Sequence, residues 1–203
     1  SNGQLSLVVN GVSIVRHESV THMKLADAPD NDGFRQVKWI TASGEEGNSV
    51  GATSGRLAGL ESSREKTKGY MDKLDELARE FAGAINKVHQ QGVDLDGNAG
   101  AIFFTGLNAD LGAGNAGVIS ATITDTTKFY PVSNEWAKGD GSNALEMAKL
   151  RNELLFRADP DNDDTGTATL EQFYEGILGT LGVDAQHALY ILDNQTLLVE
   201  QLE

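Results

Sequence analysis

Four short stretches hold the residues best able to do chemistry, and each fails on geometry. His17-Glu18-Ser19-Val20-Thr21-His22 combines two imidazoles with a carboxylate, the ingredients of a zinc-dependent hydrolase. A helical zinc site needs its histidines four residues apart on one face. Here they are five apart in a stretch that reads as strand, where they point to opposite faces. A metal-binding hydrolase on His17 and His22 is therefore a remote alternative, and two ordinary surface histidines are expected. Asp159, Asp161 and Asp163 have the spacing of calcium-loop ligands, but Asp164 occupies the required glycine position and Leu170 the bidentate glutamate position. Asp94, Asp96 and Asn98 fail in the same way, with Ala99 and Thr105 at those two places. Both aspartate runs read as solvated turns.

Gly112, Gly114 and Gly117 match the glycine pattern of a dinucleotide site, yet they precede a strand, and no helix N-terminus follows to receive a pyrophosphate. A flexible loop is expected. Serines are plentiful, and none is singled out as a nucleophile. The carboxylates are scattered, so no acid/base pair stands out. There is no cysteine, hence no disulfide and no thiolate. The residues call for no catalysis, no metal and no cofactor.

Composition narrows the partners. With 203 residues, the chain can form one sizeable domain or two small ones. Its formal net charge of −14 argues against nucleic acid and against anionic membrane surfaces, both of which need a basic face. No apolar run approaches the roughly 18 residues that span a bilayer, and no signal segment opens the chain. The opening Ser1-Asn2 and the stop at Glu203 inside a helical pattern point to an excised fragment.

The element that organises the chain runs from Ser54 to Gln91. At alternating three- and four-residue steps it places Leu57, Leu60, Arg64, Thr67, Met71, Leu74, Ala78, Phe81, Ile85 and Val88 on one stripe, which only Arg64 and Thr67 interrupt. A 3.5-residue repeat keeps one face toward one partner along a long helix. Ser54 is a candidate N-cap, and Gly92 a left-handed stop. At 1.5 Å per residue such a helix is roughly 57 Å long. It cannot bury its own stripe, so partner helices from this chain or from neighbouring subunits are required. Gly69 is a candidate kink.

Around it, Leu5, Leu7 and Val9 alternate up to Asn10-Gly11, and Val12 and Ile14 continue the alternation, a hairpin signature. Further strands are expected over Ser19–Leu25, Phe34–Thr41 and Gly117–Asp125, with Ser43–Gly55 as a glycine-rich connector. Phe103 and Phe104 anchor the loop after the helix. Asn143 with Glu146 is a candidate capping box for a helix reaching about Phe156, and Thr169 with Gln172 for one over Leu170–Leu181. Asp184 caps a last helix with its apolar stripe on Ala185, Ala188, Leu189, Leu192, Val199 and Leu202. The class is α+β, a long-helix bundle with a small antiparallel β unit. The expected organisation is a β unit over residues 1–50 and a helical rod over 51–203, with a short β insertion near 117–133, the two packing as one elongated domain.

Several segments taken together resemble the flagellar hook-associated protein 1 family. They are Gly55-Arg56-Leu57-Ala58-Gly59-Leu60; Gly69-Tyr70-Met71-Asp72-Lys73-Leu74-Asp75-Glu76-Leu77-Ala78; and Asn86, His89, Gly92, Asp94, Leu95, Gly97, Gly100 and Phe103-Phe104. Val9-Asn10-Gly11 with Ile14-Val15, and Gln195 with Leu197-Leu198, agree in order and spacing. The resemblance implies a non-enzymatic structural subunit of the bacterial flagellum, exported by the flagellar type III system and located outside the cell at the hook–filament junction. Implied partners are copies of itself in a ring, the hook protein, the second hook–filament junction protein, and an export chaperone that binds a terminus missing here. Another axial subunit, hook-like or filament-like, is the alternative within this class. The terminal helices that direct assembly in that family are absent from this stretch, so a monomer is expected. Lys68 replaces a proline often found before the Gly-Tyr pair. The stretch from Gly106 to Asp125 is short where many relatives insert a β domain. By the same analogy, subunit contacts would use the polar faces near Arg56, Arg64 and Lys68.

Overall fold

Asn10 and Gly11 both have positive φ, +48° and +78°, the backbone that a tight two-residue hairpin turn requires. They join β1 (Ser6–Val9) to β2 (Val12–Arg16), antiparallel with Val9 opposite Val12. β3 (Ser19–Val20) completes a sheet of order β1-β2-β3. Asn10 also ties the hairpin tip to the segment leading into the long helix, its Nδ2 donating to the carbonyls of Val50 and Gly51 at 3.0 and 2.8 Å. The structure is a computed structural model that describes residues 6–16, 19–28, 34–41, 43–93, 97–106, 115–123, 140–157 and 166–201.

The single strand expected over Ser19–Leu25 is two strands in two sheets. Thr21 donates its N–H to Ile14 in the first sheet, while the next residue, His22, accepts from Ile40 in the second. β4 (Met23–Ala26), β5 (Gln36–Ile40) and β6 (Glu46–Ser49) form that second sheet in sequential order. β6 falls inside the stretch expected to be a plain connector. Glycine is disfavoured in strands, which hides β6 from local propensity; here a Cβ on Gly47 would make a tight 3.3 Å contact with the Trp39 carbonyl. Trp39, Ala26, Ala28 and Val50 are the buried apolar residues here.

α1 (Gly55–His89) follows without a break at Gly69. It ends before Gly92, which is buried and donates its N–H to the His89 carbonyl, so Gly92 is part of a packed turn. The chain divides into two compact units, Ser1–Gly69 and Tyr70–Glu203, and the division falls inside α1.

In the second unit, the strand expected over Gly117–Asp125 is reduced to β8 (Ser120–Ala121), paired with β7 (Phe104–Thr105) and preceded by a 3-10 turn at Asn115–Gly117. Residues 124 and 125 lie outside the described residues. α2 (Ser142–Lys149) starts one residue before the expected Asn143 cap, and no side-chain cap bond forms at its N-cap, Gly141. The Asp140 carboxylate instead accepts from the Ser142 N–H and Oγ–H at 2.9 and 3.0 Å, and Glu146 pairs with Lys149. A 3-10 turn at Leu150–Asn152 then gives way to extended backbone at Glu153, so the helix stops well short of Phe156.

α3 (Leu170–Glu200) begins with the expected capping box: the Gln172 N–H donates to Thr169 Oγ1, and the Thr169 N–H donates to Gln172 Oε1. It is one continuous helix where a break before Asp184 was expected. Gly182 costs about 1 kcal/mol relative to alanine, too little to stop a helix by itself. Phe156 is buried and stacks on Phe173 of α3, with ring centroids 4.2 Å apart. The class is α+β.

Candidate assembly surfaces

The buried residues of α1 are Asp75, Ala82 and His89, one every seven positions. That spacing keeps them on one line of the helix, and two of the three are polar. A buried polar group needs a partner, and each has one in the chain that follows. Asp75 Oδ1 accepts the Ala116 N–H at 2.7 Å, and His89 Nδ1–H donates to the Ala101 carbonyl at 2.8 Å. Between them, Asn86 Oδ1 accepts from the N–H groups of Phe103 and Phe104 at 2.9 and 2.8 Å, and its Nδ2 donates to the Phe104 carbonyl at 2.9 Å. Gly100 runs so close to the end of the helix that a Cβ there would collide with the His89 carbonyl. Nothing in the sequence pattern singled out Asp75, Asn86 or His89 as buried, because their partners are backbone groups of a distant segment.

The paired phenylalanines complete this attachment. Phe103 meets the His89 ring edge-on at 5.3 Å and Phe104 at 4.7 Å, and Phe104 lies 5.8 Å from Phe81 of α1. The expected apolar stripe occupies a neighbouring line of α1. Leu57, Met71, Ala78, Phe81, Ile85 and Val88 are half-buried, and Leu60 and Leu74 are exposed. Leu74, Ala78 and Phe81 line an apolar groove of about 670 Å³, together with Phe104, Leu170 and Tyr174.

Two titratable groups are shifted. The Tyr70 hydroxyl donates to Asp184 Oδ2 at 2.7 Å, linking α1 to α3. That hydrogen bond, with desolvation and the carboxylate charge behind it, raises the phenol above its ordinary value. Desolvation foremost, and then the nearby Glu80 charge, raises the Glu76 carboxyl, while Arg79 and Lys73 pull it down.

Asp184 is also the last half-buried residue of α3; from Ala185 to Glu200 every residue is exposed. This outer half carries Leu189, Leu192 and Leu198 at 62%, 58% and 60% exposure. α3 contains acidic residues and no lysine or arginine. The stripe read from the sequence at Ala185, Ala188, Leu189, Leu192 and Val199 is thus open to solvent, and Leu202 lies outside the described residues. Contiguous exposed apolar faces of this kind are uncommon on monomeric proteins.

His22 and Asn98 are exposed and Gly117 closes a 3-10 turn, whereas His17, Asp94, Asp96, Gly112, Gly114, Asp159, Asp161 and Asp163 lie outside the described residues. Among the described residues, no group of three His, Cys, Asp or Glu side chains could hold a metal ion. No described helix is long and apolar enough to cross a membrane.

Residues 1–104 match the family described as the flagellar hook-associated protein FlgK helical domain. Over 129 residues the chain is 33% identical to "Flagellar hook-associated protein 1" of Bacillus subtilis (strain 168), covering 61% of this chain and 24% of the relative. The chain spans about a quarter of the length of that curated relative.

Proposed function

This chain belongs to the flagellar hook-associated protein family, and we propose that it is a structural subunit of the bacterial flagellum at the junction between hook and filament. Its task there is mechanical and not catalytic. The observation that carries this reading is the outer half of α3, four turns of exposed leucine-rich helix. Exposed apolar area of this kind stabilises a complex when it is covered. The groove on α1 and the stripe from Leu57 to Val88 serve the same purpose, as packing seams for helices. Copies of the same protein in a ring, the hook protein and the second junction protein are the partners, with the polar surface near Arg56, Arg64 and Lys68 contributing contacts between copies. The protein acts outside the cell, exported by the flagellar type III system with a chaperone.

Immunogold electron microscopy with antibody raised against this chain tests the position. Label confined to the point where hook meets filament is expected. Label running along the filament or along the hook would assign the chain to another axial subunit, and label on the cell body alone would remove it from the flagellum.

A further inference from the structure

Asn10 has two roles in the first compact unit. It opens the hairpin turn with φ of +48°, and its amide donates to the carbonyls of Val50 and Gly51 at 3.0 and 2.8 Å. Those acceptors are well held. Val50 is 1% exposed and donates its own N–H to the Val37 carbonyl of β5 at 2.9 Å. Gly51 has φ of +55°, and a Cβ there would stand 3.5 Å from Asn10 Nδ2. Both acceptors are carbonyl oxygens, so the group at position 10 has to donate. An amide can; a carboxylate cannot. The residue that follows is Gly11, and both turn residues are exposed. An asparagine followed by glycine is open to attack on itself, because glycine has no side chain to shield its nitrogen. The Gly11 nitrogen, having lost its proton to base, bonds to Asn10 Cγ. The Cγ–Nδ2 bond breaks, and the side-chain nitrogen leaves as ammonia. Water then opens the five-membered succinimide at either carbonyl and leaves aspartate or isoaspartate at position 10.

We propose that Asn10-Gly11 is a spontaneous deamidation site, gated by the two hydrogen bonds of Asn10 Nδ2, and that its product releases the hairpin tip from residues 50 and 51 irreversibly. The gate follows from the geometry: with Nδ2 tied to two carbonyls in a left-handed turn, the ring closes only after the tip has lifted. The irreversibility follows from the product. A carboxylate facing the Val50 and Gly51 carbonyls has no proton to offer them, and the opposed partial charges repel. Isoaspartate also lengthens the main chain by one carbon, within a turn whose twist is set by two residues.

The test follows conversion at Asn10 by peptide mapping and mass spectrometry, in the whole chain held in mildly alkaline buffer with and without urea. Mapping separates Asn10 from Asn2, which also precedes a glycine. In the folded chain Asn10 is expected to convert about ten- to a hundredfold more slowly than in the unfolded chain, as two hydrogen bonds imply. Asn10→Asp supplies the product directly, since aspartate tolerates the same left-handed turn. In that variant the Val50 N–H is expected to exchange with deuterium about tenfold faster than in the parent. Asn48→Asp, which adds the same charge at an exposed position of β6, is expected to leave that exchange unchanged. Equal rates at Asn10 in the folded and unfolded chain would overturn the proposal, as would no conversion at all in the folded chain. Unchanged exchange at Val50 in Asn10→Asp, or an equal rise in Asn48→Asp, would overturn it too. None of these outcomes depends on where in the flagellum the protein sits.

Discussion

Asn86 and Phe104 exchange two hydrogen bonds: the Phe104 N–H donates to Asn86 Oδ1 at 2.8 Å, and Asn86 Nδ2 donates to the Phe104 carbonyl at 2.9 Å. One side chain thus satisfies the donor and acceptor of a residue 18 positions away, as a neighbouring strand would. With the Phe103 N–H at 2.9 Å, Asn86 holds three bonds at once. Removing it strands partly buried backbone groups, each costing about 1–3 kcal/mol. Asn86→Ala is expected to destabilise the second unit by about 3 kcal/mol in urea unfolding. Asn86→Leu, of similar volume, is expected to cost as much, because the loss is of hydrogen bonds and not of packing.

Gly106 has φ of +90°, and a Cβ on it would collide with the Val118 carbonyl. Gly59 sits in α1 with nothing within 4 Å. The same substitution should act with opposite sign at the two places. Gly106→Ala is expected to destabilise by about 2 kcal/mol or more, from backbone strain and the clash. Gly59→Ala is expected to stabilise by up to about 1 kcal/mol through helix propensity. Thermal unfolding followed by circular dichroism separates them.

Much of the first level of structure is legible in the sequence. Asn10-Gly11 announces its hairpin, Thr169 with Gln172 announces the start of α3, and the long apolar repeat announces α1, because each signal depends on a few neighbouring residues. The buried line of α1 is not legible. Asp75 and His89 fall outside the apolar stripe, and they go inside because Ala116 and Ala101 meet them from 41 and 12 residues away. The separation of the strands either side of Thr21-His22 is hidden for the same reason: what divides them is bonding to Ile14 and Ile40, in different sheets. Gly182 and Asp184 look like the end of one helix and the cap of the next, yet the cost of one glycine is small against the continuous hydrogen-bond ladder of α3. The exposed apolar face is legible only as a stripe needing a partner, since a stripe does not say which of its residues the chain itself covers.

The raised phenol of Tyr70 gives a pH signature. Its folded value lies above its unfolded value, so the stabilising contribution of the bond to Asp184 is present at neutral pH and is lost as pH rises through the folded value. Among the four tyrosines, Tyr70 is expected to ionise above the ordinary range in an ultraviolet absorbance titration. Asp184→Asn should return it toward that range, and Tyr70→Phe should remove the late-titrating group.

Glu76 has the opposite consequence for stability at neutral pH. Its folded value is raised, chiefly by desolvation, so the fold disfavours the charged form. Stability is greatest where the carboxyl is protonated and falls as pH rises through the folded value. Glu76→Gln is expected to raise the melting temperature at neutral pH and to leave it unchanged near about pH 3. No gain at neutral pH would show that the Glu76 carboxylate is well solvated.

Leu189 and Leu192 separate folding from assembly. Both are well exposed, so Leu189→Gln with Leu192→Gln is expected to change the chain's own unfolding free energy by no more than about 0.5 kcal/mol. The same pair, placed in the protein as the cell makes it, should abolish its incorporation into flagella. Normal incorporation would mean that the outer half of α3 is covered by nothing that matters to assembly.

We propose that this protein joins filament to hook, and the most direct test is to remove it. In the organism that encodes it, an in-frame deletion of the whole gene should leave cells with hooks but without filaments under electron microscopy, and with filament protein released into the medium. Restoring the gene should restore both filaments and swimming. Full-length filaments on the deletion strain would contradict the account.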